Sequence, residues 1–149
     1  MPAHRKIRVI PVKTPTQLRT AISIRIRVFV REQRIAKELE VDELDNSSLH
    51  ALAIVNGKAV GTGRMYPHDR RRGIAKIGRM AVIRRYRGLG VGRAILEYLM
   101  KRARAQGYRR ALLHAQLRSA DFYSKCGFRA FGPIFDEVAI PHRKMSRAL

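Results

Sequence analysis

The chain has 149 residues, 46% of them hydrophobic, and a formal net charge of +21 at pH 7, which suit a single domain over residues 1–149 with a substantial core. No apolar run approaches the roughly 18 residues of a membrane-spanning helix, and Met1–Lys6 lack the apolar stretch of a signal peptide, so we expect a cytoplasmic protein without a membrane partner. The single cysteine, Cys126, excludes an intrachain disulfide and a multi-cysteine metal site, and we expect its side chain to pack rather than to act as a nucleophile.

The first half of the chain contains three predicted strands and a long amphipathic segment. The turn Asn56-Gly57-Lys58 between two apolar runs is typical of a β-hairpin. In chain order we predict a strand at Ile7–Val12, a helix over about Thr16–Arg34, a polar break over 35–48, and strands at His50–Val55 and Ala59–Met65.

The second half alternates strands and helices. Gly107 is predicted to end a long helix, and Ser119 to cap a short one. The predicted elements are a strand at Ile74–Ile83, a helix at Gly90–Gln106, a strand at Ala111–Gln116, a helix at Ala120–Lys125, and strands near Phe128–Phe131 and Ile140–Arg147. The order βα(α)βββαβαββ predicts an α/β (α+β) fold, with helices on the faces of a mixed sheet.

Residues 79–93 combine the end of an apolar strand with a basic turn that holds three alternating glycines, Gly88, Gly90 and Gly92. Glycine has no Cβ to keep a ligand away from the main chain, and the first N–H groups of the following helix have no intrahelical partner. These groups lie at the positive end of the helix dipole. We therefore predict an anion site here, at which a phosphate is flanked by Arg87 and Arg93.

Two familiar phosphate-binding patterns do not fit this turn. A P-loop requires Lys-Ser or Lys-Thr after its glycines, whereas Gly92 is followed by Arg93-Ala94. A dinucleotide fingerprint requires G-x-G-x-x-G and an acidic residue about 20 positions later. Here the third glycine comes one position early, and the corresponding later position is Arg110.

The segment instead resembles the acetyl-CoA signature of the GCN5-related N-acetyltransferases, Gln/Arg-x-x-Gly-x-Gly/Ala, which Arg87–Gly92 match at every fixed position. Met80-Ala81-Val82 resemble the end of the family's fourth strand, and Phe122–Phe128 its fourth-helix motif with a tyrosine. The resemblance implies a mostly antiparallel sheet, acetyl-CoA as cosubstrate and no metal. It implies CoA-binding positions at Met80, Ala81, Val82, Arg87, Gly88, Leu89, Gly90, Val91, Gly92, Arg93 and Gln116.

The resemblance also implies direct attack of an amine on the acetyl thioester, with both substrates bound together. Tyr123 matches the family's general acid, and the Val82 N–H is a donor for the oxyanion. Glu32 and His114 are the candidate bases, with His50, Glu137 or a chain of water molecules as alternatives. Considered alone, Tyr123 is also typical of an aromatic at the edge of a core, and His114 of a hydrogen-bonded structural histidine.

Six of the eleven acidic residues lie within fourteen positions. In the resembled family this region lines the acceptor side of the cleft, as does a later loop that contains Asp136 and Glu137. A carboxylate-lined opening would attract an ammonium-bearing acceptor, whereas the alternative is a solvated loop that offsets the basic surface. The six residues are Glu32, Glu38, Glu40, Asp42, Glu43 and Asp45.

The sequence therefore predicts an acetyl-CoA-dependent N-acetyltransferase that acts on a small amine. Phe29–Gln33, His114–Gln116 and Phe135–His142 are similar to a poorly characterised bacterial branch of the family without a settled acceptor. Two alternatives stay open: a non-catalytic regulatory protein that binds CoA, and a basic protein associated with nucleic acid or the ribosome. Scattered basic residues are equally typical of a solvated surface, and a homodimer is compatible with the sequence.

Overall fold

The structure is a computed structural model that describes residues 6–149, the side chain of Leu39 excepted. The expectation about a targeting segment falls largely on residues 1–5, outside the described residues. Within the described range, seven strands form one sheet in the order β1-β2-β3-β4-β5-β7-β6. The strands are β1 Ile7–Pro11, β2 Leu49–Val55, β3 Lys58–Asp69, β4 Ile74–Val82, β5 Arg110–Gln116, β6 Arg129–Glu137 and β7 Ile140–Ala148.

Four α-helices and a π-helical segment connect these strands and cover the sheet. None of the helices in the described part of the chain is long and apolar enough to cross a membrane. The α-helices are α1 Pro15–Arg25, α2 Lys37–Glu40, α3 Val91–Ala105 and α4 Ala120–Lys125, and the π-helical segment is Ile26–Glu32. Short 3₁₀ turns occur at Glu43–Asn46, Arg84–Tyr86 and Leu117–Ser119. The predicted order of elements is confirmed.

The sheet is antiparallel at every pairing except that between β4 and β5, which is parallel. This parallel pairing covers only Ile74–Lys76 of β4 and Arg110–Leu112 of β5. Beyond these residues the two strands diverge. In the diverging half, β4 carries an extra residue opposite Gly63, and Arg79 at this bulge has a φ of +50°. A bulge of this kind bends a strand and redirects its side chains, so it helps to open the sheet here.

Several predicted boundaries differ from the structure. The predicted helix Thr16–Arg34 is wrong as a single α-helix, because α1 passes into the π-helical segment at Ile26. Apolar periodicity does not distinguish the two kinds of helix over one or two turns. Ser119 precedes α4 but makes no side-chain capping bond, since a 3₁₀ turn leads directly into the helix. In addition, β3 continues to Asp69 and β6 to Glu137, beyond the apolar runs that predicted them.

Helix α3 packs closely on one face of the sheet through an apolar stripe. Ile95, Leu96 and Leu99 are fully buried, which for each side chain contributes about 1.5–3 kcal/mol. The close approach requires Gly61 and Gly63 on β3. A Cβ on Gly61 would lie 2.8 Å from Ile95 Cδ1, and a Cβ on Gly63 would lie 2.9 Å from Ile95 Cγ2. On the opposite face, α1 and the π-helical segment bury Ala21, Ile24, Val28 and Phe29 against Leu52.

Candidate functional site

A cavity of about 400 Å³ opens where β4 and β5 diverge. Met80 from β4, His114 and Gln116 from β5, and Tyr123 from α4 all line it. The structure therefore brings together four residues that the sequence predicted to act in one site. The expectation that Cys126 packs in the core is confirmed, because its thiol is 8% exposed within the main hydrophobic cluster.

The glycine turn leads from the end of β4, the strand that carries Met80, into α3. Gly88 and Gly90 have φ values of +77° and +89°, a left-handed conformation that favours glycine. Gly90 is the N-cap of α3, a helix of 15 residues, and the N–H groups of its first turn have no acceptor within the helix. The turn therefore presents backbone donors and the positive end of a helix dipole at one point, which suits a phosphate.

Side chains around the turn differ in what they can offer to a ligand. Ala81 and Val91 are buried in the core, so only their backbone can make contact. Leu89 is 47% exposed at the tip of the turn. Arg93 extends along α3, and its Nε donates to Glu97 Oε1 at 2.9 Å. The Cβ of a residue replacing Gly92 would lie 3.4 Å from Phe122, which places this glycine against α4.

Arg87 is held in place by Glu32 from the π-helical segment. Its Nη1 and Nη2 donate to the two carboxylate oxygens of Glu32 at 2.9 and 2.8 Å, while its Nε donates to the Val82 carbonyl at 2.9 Å. These hydrogen bonds, together with the charges of Arg87 and Arg84, hold the pKa of Glu32 below its usual range. Glu32 is therefore ionised and occupied, so its contacts are those of a residue that positions Arg87.

The backbone of Val82 faces the gap between β4 and β5. The next residue, Ile83, donates its N–H to Val60 on the β3 side at 2.9 Å. Successive residues of an antiparallel strand alternate in this direction, so the N–H and C=O of Val82 face the opposite side. The Val82 C=O accepts there from Arg87. Because β5 has already diverged, the Val82 N–H is a donor directed at the cleft.

His114 forms an ion-pair cluster with residues from neighbouring strands. Its Nδ1 lies 3.0 Å from Glu137 Oε1 and 3.5 Å from Lys76 Nζ, and His142 Nε2 lies 3.7 Å from Glu137 Oε2. The Nδ1 atom either donates or accepts, so it cannot satisfy both neighbours. The shorter, charge-assisted contact is that with Glu137, which assigns the proton to Nδ1 and leaves the lone pair on Nε2.

The charges in this cluster respond to burial and to one another. The hydrogen bond from His114 is the main cause that lowers the pKa of Glu137. Burial lowers the pKa of Lys76, although the charge of Glu137 opposes that effect. Phe135 packs edge-on against the His114 ring, with 5.1 Å between the ring centroids, and so fixes the ring's orientation.

Tyr123 lies at the wall of the cavity with little exposure. Its side chain is 8% exposed and packs edge-on between Phe122 and Phe128, with centroid distances of 5.0 and 6.0 Å. Burial raises the pKa of Tyr123 well above its usual value. The phenol therefore keeps its proton across the neutral range, as a proton donor requires.

The acidic segment forms an ion-pair network with three arginines, Arg25, Arg64 and Arg79. Arg25 contacts Glu40 at 2.8 Å and Asp45 at 2.6 Å, and Arg64 contacts Asp45 and Asp42 at 2.7 Å each. Glu40 and Asp45 are only 2% and 6% exposed. The expectation of a solvated loop is therefore wrong for these two residues.

The predicted carboxylate-lined opening carries balancing arginine charge where the segment reaches the cavity. Glu40 and Asp42 do line it, but Arg79 contacts both, at 3.4 and 3.3 Å. His50, a reserve candidate for the base, lies behind this network. Its Nε2 is 2.9 Å from the Asp45 carbonyl oxygen, and the imidazole is 5% exposed.

The sequence model of the acetyltransferase (GNAT) family matches residues 19–128, which include the glycine turn, His114 and Tyr123. The chain belongs to the acetyltransferase (GNAT) family. As a GNAT protein it is an acyltransferase enzyme, and GNAT acetyltransferases in general use acetyl-CoA as cosubstrate. The predicted family and fold are thereby confirmed.

Three bacterial proteins illustrate what this GNAT chain is similar to. It is 35% identical over 142 residues to the uncharacterized N-acetyltransferase YjcF of Bacillus subtilis (strain 168), covering 95% of this chain and 99% of YjcF. The crystal structure of Escherichia coli ElaA has a TM-score of 0.84 and 25% identity, covering 95% of this chain and 99% of ElaA. An acyl-CoA N-acyltransferase from Pseudomonas aeruginosa has a TM-score of 0.84 and 28% identity, covering 96% of this chain and 100% of that one.

Several residues of this GNAT cavity were not predicted from the sequence. Lys76 has a detectable signal, because a cation interrupts the apolar strand Ile74-Ala75-Lys76-Ile77. The other residues that were missed have no sequence signal, because their partners are distant in the sequence. Arg64, for example, contacts Asp42, which is 22 positions away. The other missed residues are Arg64, Tyr66, Arg79 and His142.

Proposed function

We propose that this GNAT enzyme transfers an acetyl group from acetyl-CoA to a small amine by direct attack, with both substrates bound together. The observation that carries the proposal is the convergence of a proton donor and a candidate base on one cavity. Tyr123 and the His114–Glu137 pair line one cavity, which Met80 near the end of β4 also lines. The cavity of about 400 Å³ is of the size that encloses a small molecule.

Acetyl-CoA fits the donor side of this site. The glycine turn and the first turn of α3 offer N–H groups to the pyrophosphate, and Arg87 adds a cation that Glu32 orients. The diverging backbone of Met80–Val82 offers hydrogen bonds to the pantetheine arm, as a strand would in place of β5. The other predicted CoA contacts lie on the same turn, apart from Gln116 on β5. The side-chain amide of Gln116 donates to Gln33 Oε1 at 2.8 Å.

We assign the general base to His114 rather than to Glu32. A free amine has a pKa near ~10, so the acceptor arrives as an ammonium and must lose a proton before it can attack. With Nδ1–H bonded to Glu137, the Nε2 lone pair of His114 is available for this proton, and Glu137 stabilises the imidazolium that results. Glu32, in contrast, has both carboxylate oxygens occupied by Arg87.

Tyr123 and Val82 serve the other two requirements of the reaction. As the nitrogen–carbon bond forms, negative charge develops on the thioester oxygen, and the Val82 N–H is a preorganised donor for it. The carbon–sulfur bond then breaks, and Tyr123 gives its proton to the departing thiolate. The phenol is neutral, so its O–H stabilises the negative charge that develops on sulfur as the carbon–sulfur bond breaks, and the thiol forms when the proton crosses that hydrogen bond.

Acetyl-CoA consumption with a panel of primary amines tests this function. Turnover with at least one amine, and its loss in His114→Ala and Tyr123→Phe variants that still bind CoA, is the expected result. CoA binding without turnover on any amine would instead support the non-catalytic regulatory alternative. A nucleic-acid partner, a homodimer and the absence of a metal stay predictions.

A further inference from the structure

The charges that line the cavity are paired, with one exception. Arg64 and Arg79 contact carboxylates of the acidic network, and Glu137 contacts His114. Lys76 is the cation on the cavity wall that has no ion-pair partner among the described residues. A partly buried cation without a direct ion pair is costly, because the charge of Glu137 offsets only part of the hydration that burial removes.

The side chain of Lys76 makes one polar contact with the described residues, and that contact is weak. Lys76 Nζ lies 3.5 Å from His114 Nδ1, at the outer limit of a hydrogen bond. The same Nδ1 carries the proton that it donates to Glu137 at 3.0 Å, so it cannot also accept from an ammonium. The three N–H donors of Lys76 are therefore left for a group that enters the cavity.

We infer that Lys76 binds an acid group of the acceptor, so that the acceptor is an amino acid or a similar amine that carries a carboxylate. This inference rests on the proposed function, and it names the substrate class of the same site. One cation that lacks a direct ion pair matches one carboxylate. A phosphate monoester carries a charge of about −1.5 to −2 and would leave part of that charge without a partner.

The position of Lys76 also limits how far the amine is from the acid group. The acceptor amine must approach His114 to lose its proton, and Lys76 Nζ lies 3.5 Å from the same imidazole. An acceptor that reaches both side chains therefore has its amine and carboxylate a few bonds apart, as in an α- or β-amino acid. Glu137 favours the ammonium form on arrival, and Lys76 favours the carboxylate, so the two charges orient the acceptor.

Matched acceptors test the inference directly. Alanine, leucine and phenylalanine are compared with their primary amides and with the corresponding amines without the carboxylate, at saturating acetyl-CoA. We expect the acids to have kcat/KM values about 10- to 100-fold higher than their amides, as a charge-assisted hydrogen bond provides. Lys76→Met should abolish this preference, and Lys76→Arg should retain part of it. Acids and amides that react equally well in the parent protein would overturn the inference while leaving the proposed function intact.

Lys144→Met is the matched control. Lys144 lies opposite His114 in the β5–β7 pairing, but its side chain is exposed and outside the cavity. The Lys144→Met variant should keep the preference for acids. If this variant also loses that preference, a long-range charge effect is the cause, and the role of Lys76 is overturned. Melting temperatures identify any variant that fails to fold.

A binding measurement keeps the test independent of turnover. The amino acid that reacts best, or phenylalanine if none reacts, is titrated into protein saturated with CoA, and calorimetry gives its affinity. The parent should bind it about tenfold or more tightly than Lys76→Met. Equal affinities would overturn the inference.

Mass spectrometry after incubation with acetyl-CoA alone gives a last check. Acetylation of Lys76 itself would make Lys76 a substrate amine and would also overturn the inference.

Discussion

The guanidinium of Arg87 donates two hydrogen bonds to the carboxylate of Glu32, at 2.9 and 2.8 Å, although the two residues are 55 positions apart. This pair joins the end of the π-helical segment to the turn that carries the acetyl-CoA signature. Parallel hydrogen bonds of this kind fix the orientation of a guanidinium as well as its position. The π-helical segment and the glycine turn are therefore linked through one ion pair.

Glu32→Gln should weaken acetyl-CoA binding rather than the proton transfer. The neutral amide of this variant cannot hold Arg87 with two charge-assisted bonds, so we expect the KM for acetyl-CoA to rise about 3- to 10-fold, as for a charged hydrogen bond that is partly exposed to solvent. The pH profile of kcat should not change, because the lowered pKa of Glu32 keeps it charged at neutral pH.

Steady-state kinetics with Glu38→Gln as control measures this effect. Glu38 is an exposed carboxylate in α2, and its replacement should leave both KM values unchanged. A kcat for Glu32→Gln that declines steeply at low pH would restore Glu32 as the base and remove that role from His114.

CoA should raise the melting temperature of the protein, since a ligand that binds only the native state stabilises it. Gly90→Val should abolish this shift, because a branched side chain would stand where the pyrophosphate approaches the backbone. It should also lower the melting temperature without ligand, since valine at a φ of +89° is strained.

Gly107→Val separates these two effects. Gly107 follows the other end of α3 and has a φ of +91°, and a Cβ added there would have no neighbouring atom within 4 Å. Its replacement should cost similar stability but keep the CoA shift in differential scanning fluorimetry. If CoA at millimolar concentration leaves the parent curve unmoved, the assignment of the cosubstrate is wrong.

Tyr123→Phe should lower kcat by about 10²–10⁴-fold, the usual effect of removing a general acid, while the Kd for CoA changes little. The phenylalanine keeps the packing against Phe122 and Phe128, so the fold should be retained. Tyr98→Phe, a change on α3 outside the cavity, is the control. Turnover that is unaltered while chemistry limits the rate would show that Tyr123 only packs.

Glu137→Gln should lower kcat, but by less than His114→Ala, for which we expect a loss of about 10²–10⁴-fold. The pKa of Glu137 is lowered, so its charge is present throughout the neutral range and is lost only in acid. Removing that charge withdraws the support of the imidazolium, and the acid limb of the kcat/KM profile should move.

Asp136→Asn provides the comparison in the adjacent position, where the side chain is exposed. It should leave the pH profile in place. Identical profiles for Glu137→Gln and the parent would mean that Glu137 does not assist His114.

Local patterns were enough to predict much of this fold and part of the site. The order of elements follows from apolar periodicity and from the glycine turn, and the family resemblance assigns Tyr123 to the same predicted site as that turn. The contact between Glu32 and Arg87, in contrast, depends on how two distant segments pack. The same is true of the contacts that neutralise Asp45, because its partners Arg25 and Arg64 lie 20 and 19 positions away on opposite sides in sequence.

The role of Lys76 also could not be predicted from its neighbours in sequence. The apolar strand around Lys76 marks it as an unusual cation. Its proposed role depends on the divergence of β4 from β5, because that divergence exposes Lys76 to the cavity. The change from α1 to a π-helical segment at Ile26 was missed for a related reason. Both kinds of helix bury an apolar stripe, and only the packing against the sheet decides between them.

Asp45→Asn should destabilise the protein strongly. Asp45 is 6% exposed and contacts both Arg25 and Arg64, so its replacement leaves two buried guanidinium groups with too few counter-charges. Breaking a buried ion pair from one side costs about 3–5 kcal/mol in free energy of unfolding. Urea denaturation at pH 7 measures this loss, and Asp69→Asn is the control. Asp69 contacts Arg72 at 3.9 Å on the surface, where a pair contributes about 0–1 kcal/mol.

The pH dependence of stability gives the same network a second, independent test. Burial alone would raise the pKa of Asp45, but the hydrogen bonds and charges of Arg25 and Arg64 outweigh it and hold the pKa well below its usual value of 3.8. A lowered pKa in the folded state means that the stabilisation is complete above that usual value and is lost as the pH falls further. The parent should therefore lose stability steeply below pH 3.8, and Asp45→Asn should show a shallower slope there. Parallel slopes in the two proteins would show that Asp45 does not stabilise the fold through its charge.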